Sequence, residues 1–259
     1  MGLIQTIVER VRGVLFTVQD FSIFTASALR AAVTRPFYGR EIVHQLHFAG
    51  IGSLLIVVIS SAVAGQALAL QLARELAVTG AKSQLGHFMV ISVVRALGPV
   101  LVGMVVASRM SAGITAELAA MRATDQLDAM VAFGSDPMKR LVVPRIIALL
   151  VALPALTVIG DALAVAGGGI VGIQYHITWE TYMNGVINYL TPKNLLVGMI
   201  KPFLFAIMIA TVACWKGFTS EGGAKGVGVS TTESVVISSV GILVVDGVMT
   251  RLVFKILHW

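Results

Sequence analysis

Arg95 lies in an otherwise apolar run, three residues before the pair Gly98-Pro99. A charge at mid-bilayer costs roughly 2.5–3.5 kcal/mol on insertion scales, so such a residue faces a cavity or a partner. Proline removes a backbone donor and weakens the helix beside it. A cation on a weakened helix suits a widened cavity near a lipid headgroup. The plainer alternative is a kink that lets Arg95 reach the membrane interface. Asp161 and Asp246 also interrupt apolar runs. They serve either as a proton relay or as structural partners for a basic or polar group. Lys201 and Arg251 stand nearer the ends of their runs, where long side chains snorkel to water.

The second informative stretch is polar and runs from Ser111 to Met130. Ala, Leu, Met, Glu, Gln and Arg dominate it, which favours a helix. At about 100° per residue, Glu117, Asp125 and Asp128 fall within about 80° of one another. Ala119, Ala123, Leu127 and Met130 take the opposite face. Arg122 precedes Asp125 by three, the spacing of a local ion pair. Gly134, Asp136 and Pro137 stop the helix. A short helix with an acidic edge either docks in a groove of a soluble partner or stays solvated and unpartnered.

Catalysis finds no comparable support. His44 and His47 are three apart, but two histidines make a weak metal signal, and they read as interfacial residues. The run Gly222–Gly228 is glycine-rich, yet Lys225 is not followed by Ser or Thr, as a phosphate-binding loop requires. It reads as a flexible loop. No metal or cofactor is expected on this chain; ATP, if used, is bound by another.

The elements that position these residues follow from composition. Of 259 residues, 57% are apolar and only 12% charged, and the mean hydropathy is +0.90. Soluble domains carry about 25% charged residues, so this chain cannot coat a soluble surface; its solvent is a bilayer. The single cysteine, Cys214, excludes an intrachain disulfide. The basic excess, +6, reads as contact with an anionic membrane leaflet rather than nucleic acid.

A span needs about 20 apolar residues. Five stretches qualify: Gly50–Leu72, Phe88–Ala107, Ile146–Gly172, Leu195–Trp215 and Val235–Leu257. Arg109 to Arg145 is a long polar excursion and Lys216–Thr232 a polar loop. The first 35 residues place Leu3, Ile7, Val11, Val14, Val18 and Phe21 on one helical stripe. Glu9, Arg10, Arg12, Gln19 and Asp20 break any continuous run, so a signal peptide is not expected. This segment reads as an amphipathic helix lying in the interface and ended by Pro36; packing on another protein surface is the alternative. Five spans put the termini on opposite sides. Arg10, Arg12, Arg30, Arg35, Arg40, Arg109, Arg122, Lys139, Arg140, Arg145, Lys216 and Lys225 share the N-terminal side, against Arg74, Lys82, Lys193, Arg251 and Lys255 on the other. The positive-inside rule then makes the N-terminus cytoplasmic and the C-terminus extracytoplasmic.

These residues also carry a resemblance. Arg95-Ala-Leu-Gly-Pro99, then Ala116-Glu-Leu-Ala-Ala-Met-Arg-Ala-Thr-Asp-Gln-Leu-Asp-Ala-Met130, then Asp136-Pro137 resemble the ordered motifs of MlaE-type (YrbE-type) permeases of lipid ABC transporters. Gln45-Leu46 with Gly50, Gly65, Leu70-Gln71, Leu153-Pro154, Gly168-Gly169 and Asp246 extend the likeness. It covers about Gly39 to the C-terminus. It implies an all-α integral membrane protein of the bacterial inner membrane: an interfacial helix at 1–35, and a five-span permease domain at 36–259. Within that domain a cytoplasmic coupling helix is implied at about 112–132. By resemblance, Glu117, Leu118, Met121, Arg122, Asp125, Gln126 and Asp128 dock on an ABC ATPase subunit, which binds ATP and Mg2+. Leu68, Leu70, Ala73, Arg95 and Ala96 line a lipid cavity. A second permease copy and an extracytoplasmic protein with an MCE domain complete the assembly, with phospholipid as the implied cargo. Two positions depart from the pattern: Ala96 replaces a glutamate and Ala73 an aromatic, which widens the expected cavity. A proton-coupled secondary transporter using Asp161 and Asp246, and a non-transporting membrane scaffold, stay open beside this reading.

Overall fold

The computed structural model describes residues 2–34 and 38–256, and every element within them is helical. Five stretches are long and apolar enough to cross a bilayer: Gly39–Val78, Lys82–Ala123, Met138–Gln174, Pro192–Phe218 and Gly223–Val253. The chain is an all-α integral membrane protein.

Helix α1 spans Gly2–Val33. Phe21 stacks edge-on against Trp215 (centroids 5.4 Å apart) and Phe24 against Phe218 (5.7 Å). Ala28 and Ala31 are buried, whereas Val18 is exposed. The packing stripe is therefore Phe21, Phe24, Ala28 and Ala31, displaced from the expected one at Val18. The side chains of Leu3, Ile7, Val11 and Val14, and Arg35 and Pro36, lie outside the described residues.

The first span begins earlier than expected. Helix α2 (Gly39–Ala49) runs into α3 (Ile51–Val78) through Gly50. Buried residues on α3 recur every four positions: Ser53, Val57, Ser61, Gly65, Ala69 and Ala73. In lipid, helices associate through close packing, which small residues allow. A Cβ on Gly65 would overlap the backbone of Ala164. One on Gly167 would lie 2.8 Å from the Ala62 carbonyl. These two glycines set how closely α3 meets α7 (Val143–Gln174).

The second span holds α4 (Leu85–Ser92), a π-helical turn at Val93–Leu97, and α5 (Gly98–Ala123). Here the expected polar excursion after Ala107 is corrected. α5 continues unbroken to Ala123, because Met110, Ser111, Ile114, Thr115, Leu118 and Ala119 are buried against neighbouring helices. The Thr115 hydroxyl donates to the Ala213 carbonyl (3.0 Å), and Ser111 and Ser238 share a buried hydrogen bond (2.8 Å). Asp125 takes a left-handed conformation (φ 55°) and breaks the chain before the short α6 (Gln126–Ala132).

Helix α8 (Trp179–Tyr189) and α9 (Pro192–Phe218) start on threonine caps. Thr178 and Thr191 accept from the backbone N–H groups of Thr181 and Asn194, as first-turn amides require. The glycine-rich segment is not a flexible loop. Gly222 and Gly223 turn the chain with positive φ, and α10 runs from there to Ile256. Leu257 lies outside the described residues. Two clusters form the core. One joins α5, α7 and α9 through Val102, Val106, Leu149, Leu153, Phe205 and Ile209. The other joins α3, α4, α7 and α8 through Ala69, Leu85, Met89, Val171 and Tyr182.

Candidate functional site

The π turn holds Arg95. A π turn inserts one residue into a helix and is frequent at functional sites. Here it presents the Arg95 carbonyl to Lys201, whose ammonium donates to it at 2.8 Å. Lys201 also donates to the Thr250 hydroxyl (3.1 Å) and pairs with Asp246 at 2.7 Å. The Lys201 side chain is 2% exposed and that of Asp246 21%. Lys201 therefore does not snorkel; it ties the π turn of the second span to α9 and α10. Breaking such a buried pair from one side costs roughly 3–5 kcal/mol, because the remaining charge is stranded.

This knot walls a crevice of about 250 Å³ whose lining includes Ser92, Arg95, Ala96, Lys201, Thr250 and Val253. Arg95 is half-buried and Ala96 exposed. One side of the crevice is basic and hydrogen-bonding; the rest is aliphatic.

Asp161 and Asp246 do not form a pair. Asp246 is engaged by Lys201. Asp161 sits on α7 with Oδ1 wedged against Gly98, so that a Cβ there would overlap it. The Gly of the Gly98-Pro99 pair thus leaves room for a carboxylate from the third span.

At the opposite end of α5 the acidic edge is real but is built differently from a single helix. Glu117 is salt-bridged to Arg145 at 2.6 Å, with the Glu117 side chain 52% exposed and that of Arg145 2%. Arg145 also donates to the Leu141 carbonyl (2.7 Å). The expected Arg122–Asp125 pair is replaced: the break at Asp125 swings α6 round, and Arg122 pairs with Asp128 at 2.8 Å. Leu118 is fully buried, in contact range of the Gly217 position, and so belongs to the core rather than to a docking face. Met121 is half-buried, while Asp125, Gln126 and Asp128 are exposed. Beside them stand two residues that sequence reasoning missed, Val131 at 60% and Phe133 at 89% exposed. An exposed apolar ring next to a run of acids is the signal, and it shows only once α6 is seen to be short.

The expected cavity residues are divided. Arg95 and Ala96 line the crevice, and Leu68, Leu70 and Ala73 do not. Ala73 is 1% exposed, packed in the cluster with Ala69 and Leu85. Leu70 is exposed and Leu68 half-buried. At the end of the bundle opposite α6, Tyr182 donates to the Val165 carbonyl at 2.6 Å. Burial pushes its phenol above the usual tyrosine range, since burial disfavours the phenolate.

Comparison with known proteins agrees with this architecture. The family model described as Permease MlaE matches residues 42–252. A Rickettsia felis protein named "Probable ABC transporter permease protein" is 39% identical, covering 93% of this chain and 93% of its own length. The Synechocystis protein slr1045, with the same description, is 35% identical over 83% of this chain and 82% of its own. The Arabidopsis thaliana protein "TRIGALACTOSYLDIACYLGLYCEROL 1, chloroplastic" is 35% identical over 83% of this chain and 62% of its own. A bundle of five spans, an arginine on a π turn and a long second-span helix ending in an acidic edge thus belong to a chain that is a member of the MlaE permease family of ABC transporters.

Proposed function

We propose that this chain is the membrane-spanning permease subunit of an ATP-driven lipid transporter, with glycerophospholipid as the cargo. The observation that carries the reading is the crevice at the π turn, where Arg95 and Lys201 stand beside aliphatic walls. An anionic headgroup is attracted to the basic side, and acyl chains take the apolar one. The chloroplast relative's name contains trigalactosyldiacylglycerol, a lipid, which supports a lipid cargo.

ATP and Mg2+ belong to a cytoplasmic ABC ATPase that grips the end of α5 and α6. Asp125, Gln126 and Asp128, with Val131 and Phe133, supply an acidic and apolar docking face. Glu117, held by Arg145, fixes that face on the bundle. The basic bias supports a cytoplasmic location for this end and the N-terminus, with the C-terminus outside the inner membrane. A second copy of the permease encloses the lipid path, and an extracytoplasmic MCE-domain protein receives or delivers the lipid. Coupling requires contacts that differ between two states; ATPase closure moves the α5–α6 end, and α5 carries the motion to the crevice.

The test co-expresses the permease with its ATPase. Phe133→Ala with Asp125→Lys lowers the co-purified ATPase several-fold and leaves membrane insertion intact. Arg95→Ala keeps the ATPase but lowers anionic lipid recovered from the purified complex by mass spectrometry. Unchanged co-purification defeats the docking assignment, and unchanged lipid removes Arg95 from the site. Lipid transport in liposomes without ATPase, driven by a pH gradient, would instead establish a secondary transporter.

A further inference from the structure

We infer that Asp161 is the polar anchor of a second, separate ligand site, which takes a hydrophobic molecule bearing one hydroxyl or amino group. A cavity of about 360 Å³ lies between α4, the π turn, α7, α8 and α9, with Val94, Val158, Val165, Trp179, Met183 and Met199 among its walls. That volume and lining are those of small-molecule sites, which are mostly apolar with a few placed polar groups. Asp161 is the one charged residue that lines it. The crevice beside Arg95 has a different lining, with no residue in common.

No ion pair or hydrogen bond to Asp161 is seen among the described residues. Its Oδ1 is buried without a hydrogen-bond partner, and none of the ion pairs among the described residues includes it. Oδ1 is lodged at Gly98, and the Asp161 side of α7 forms part of the cavity wall. A carboxyl in an apolar site is costly unless something bonds it. Asp246, by contrast, has Lys201. The acceptor in this cavity therefore awaits a donor, and the aliphatic walls require that the rest of the donor's molecule be hydrocarbon. The inference rests on the cavity alone and holds whether or not the crevice carries phospholipid.

The experiment uses the full-length protein in nanodiscs and three photoreactive twelve-carbon probes: a primary alcohol, the matching amine and the matching methyl ester, which has no donor. Cross-linked peptides are read by mass spectrometry. Alcohol and amine label the segments around Val158–Ala166 and Met183, about tenfold above the ester, as expected for one hydrogen bond to the carboxyl. Asp161→Leu reduces both to the ester's level. Asp161→Asn keeps the shape and an acceptor, and it retains alcohol labelling above the ester. Ala162→Trp fills the cavity from its exposed rim and abolishes labelling by all three while Asp161 is untouched. Equal labelling by ester and alcohol in the native chain overturns the inference. So does an Asp161→Leu protein that folds and labels normally, or, should Asp161→Leu not fold, unchanged labelling of Ala162→Trp.

Discussion

Lys201 shows how a charged residue is kept inside a membrane bundle. Its ammonium donates to the Arg95 carbonyl and the Thr250 hydroxyl and is ion-paired with the Asp246 carboxylate. Lys201→Met strands the Asp246 charge, whereas Lys201→Met with Asp246→Leu strands nothing. We expect the single variant to lose several degrees of melting temperature in detergent and the double variant to recover most of it, read by fluorescence-detected size exclusion. A double variant as unstable as the single would show that the carbonyl contact, not the charge pair, holds the π turn. The Gly98 notch gives a second residue-scale expectation. Gly98→Ala drives a methyl into the Asp161 carboxyl and lowers stability; adding Asp161→Ala relieves it, measured the same way.

Among elements, α3 and α7 depend on hydrogen-for-side-chain replacement at their seam. Gly65→Leu inserts a side chain where the Ala164 backbone lies, so α3 must move off α7. The expected outcome is loss of folded protein, with Val63→Leu, on the exposed face, as the neutral control. Gly65 was legible in the sequence as part of the family pattern, but its role was not, since nothing in a hydropathy run says which glycine meets a backbone. The spans and their order were legible because hydropathy reports what lipid solvates. The helix after Ser111 was legible from its composition, but its continuity with the second span and its burial against neighbouring helices were not, because polar residues there masked the packing of Met110, Ile114 and Leu118. The break at Asp125 was likewise hidden: a left-handed aspartate carries no periodicity signature. Arg122 consequently pairs six residues on rather than three. In the site, Arg95, Asp161 and Asp246 stood out as charges in apolar runs. Lys201 did not, because nearness to a run's end suggested snorkelling and its partners come from two other spans.

For the whole molecule, the single span between them, α7, puts α6 and the α8–α9 connection at opposite ends. Cys214 is fully buried, so it gives little background to a thiol reagent. A cysteine at Phe133 and one at Lys193 should therefore report on separate faces. In right-side-out vesicles we expect a membrane-impermeant maleimide to modify Lys193→Cys and to spare Phe133→Cys until the membrane is opened. The reverse pattern would place the acidic end outside and end the ATPase assignment. α5 links the two regions. Its 26 residues span about 39 Å at 1.5 Å per residue. A non-α step stands at either end, the π turn before it and the left-handed Asp125 after it. Such an arrangement is a connecting rod with a bearing at each end: push or twist applied at Asp125 is delivered at Arg95 without being absorbed by slack chain in between.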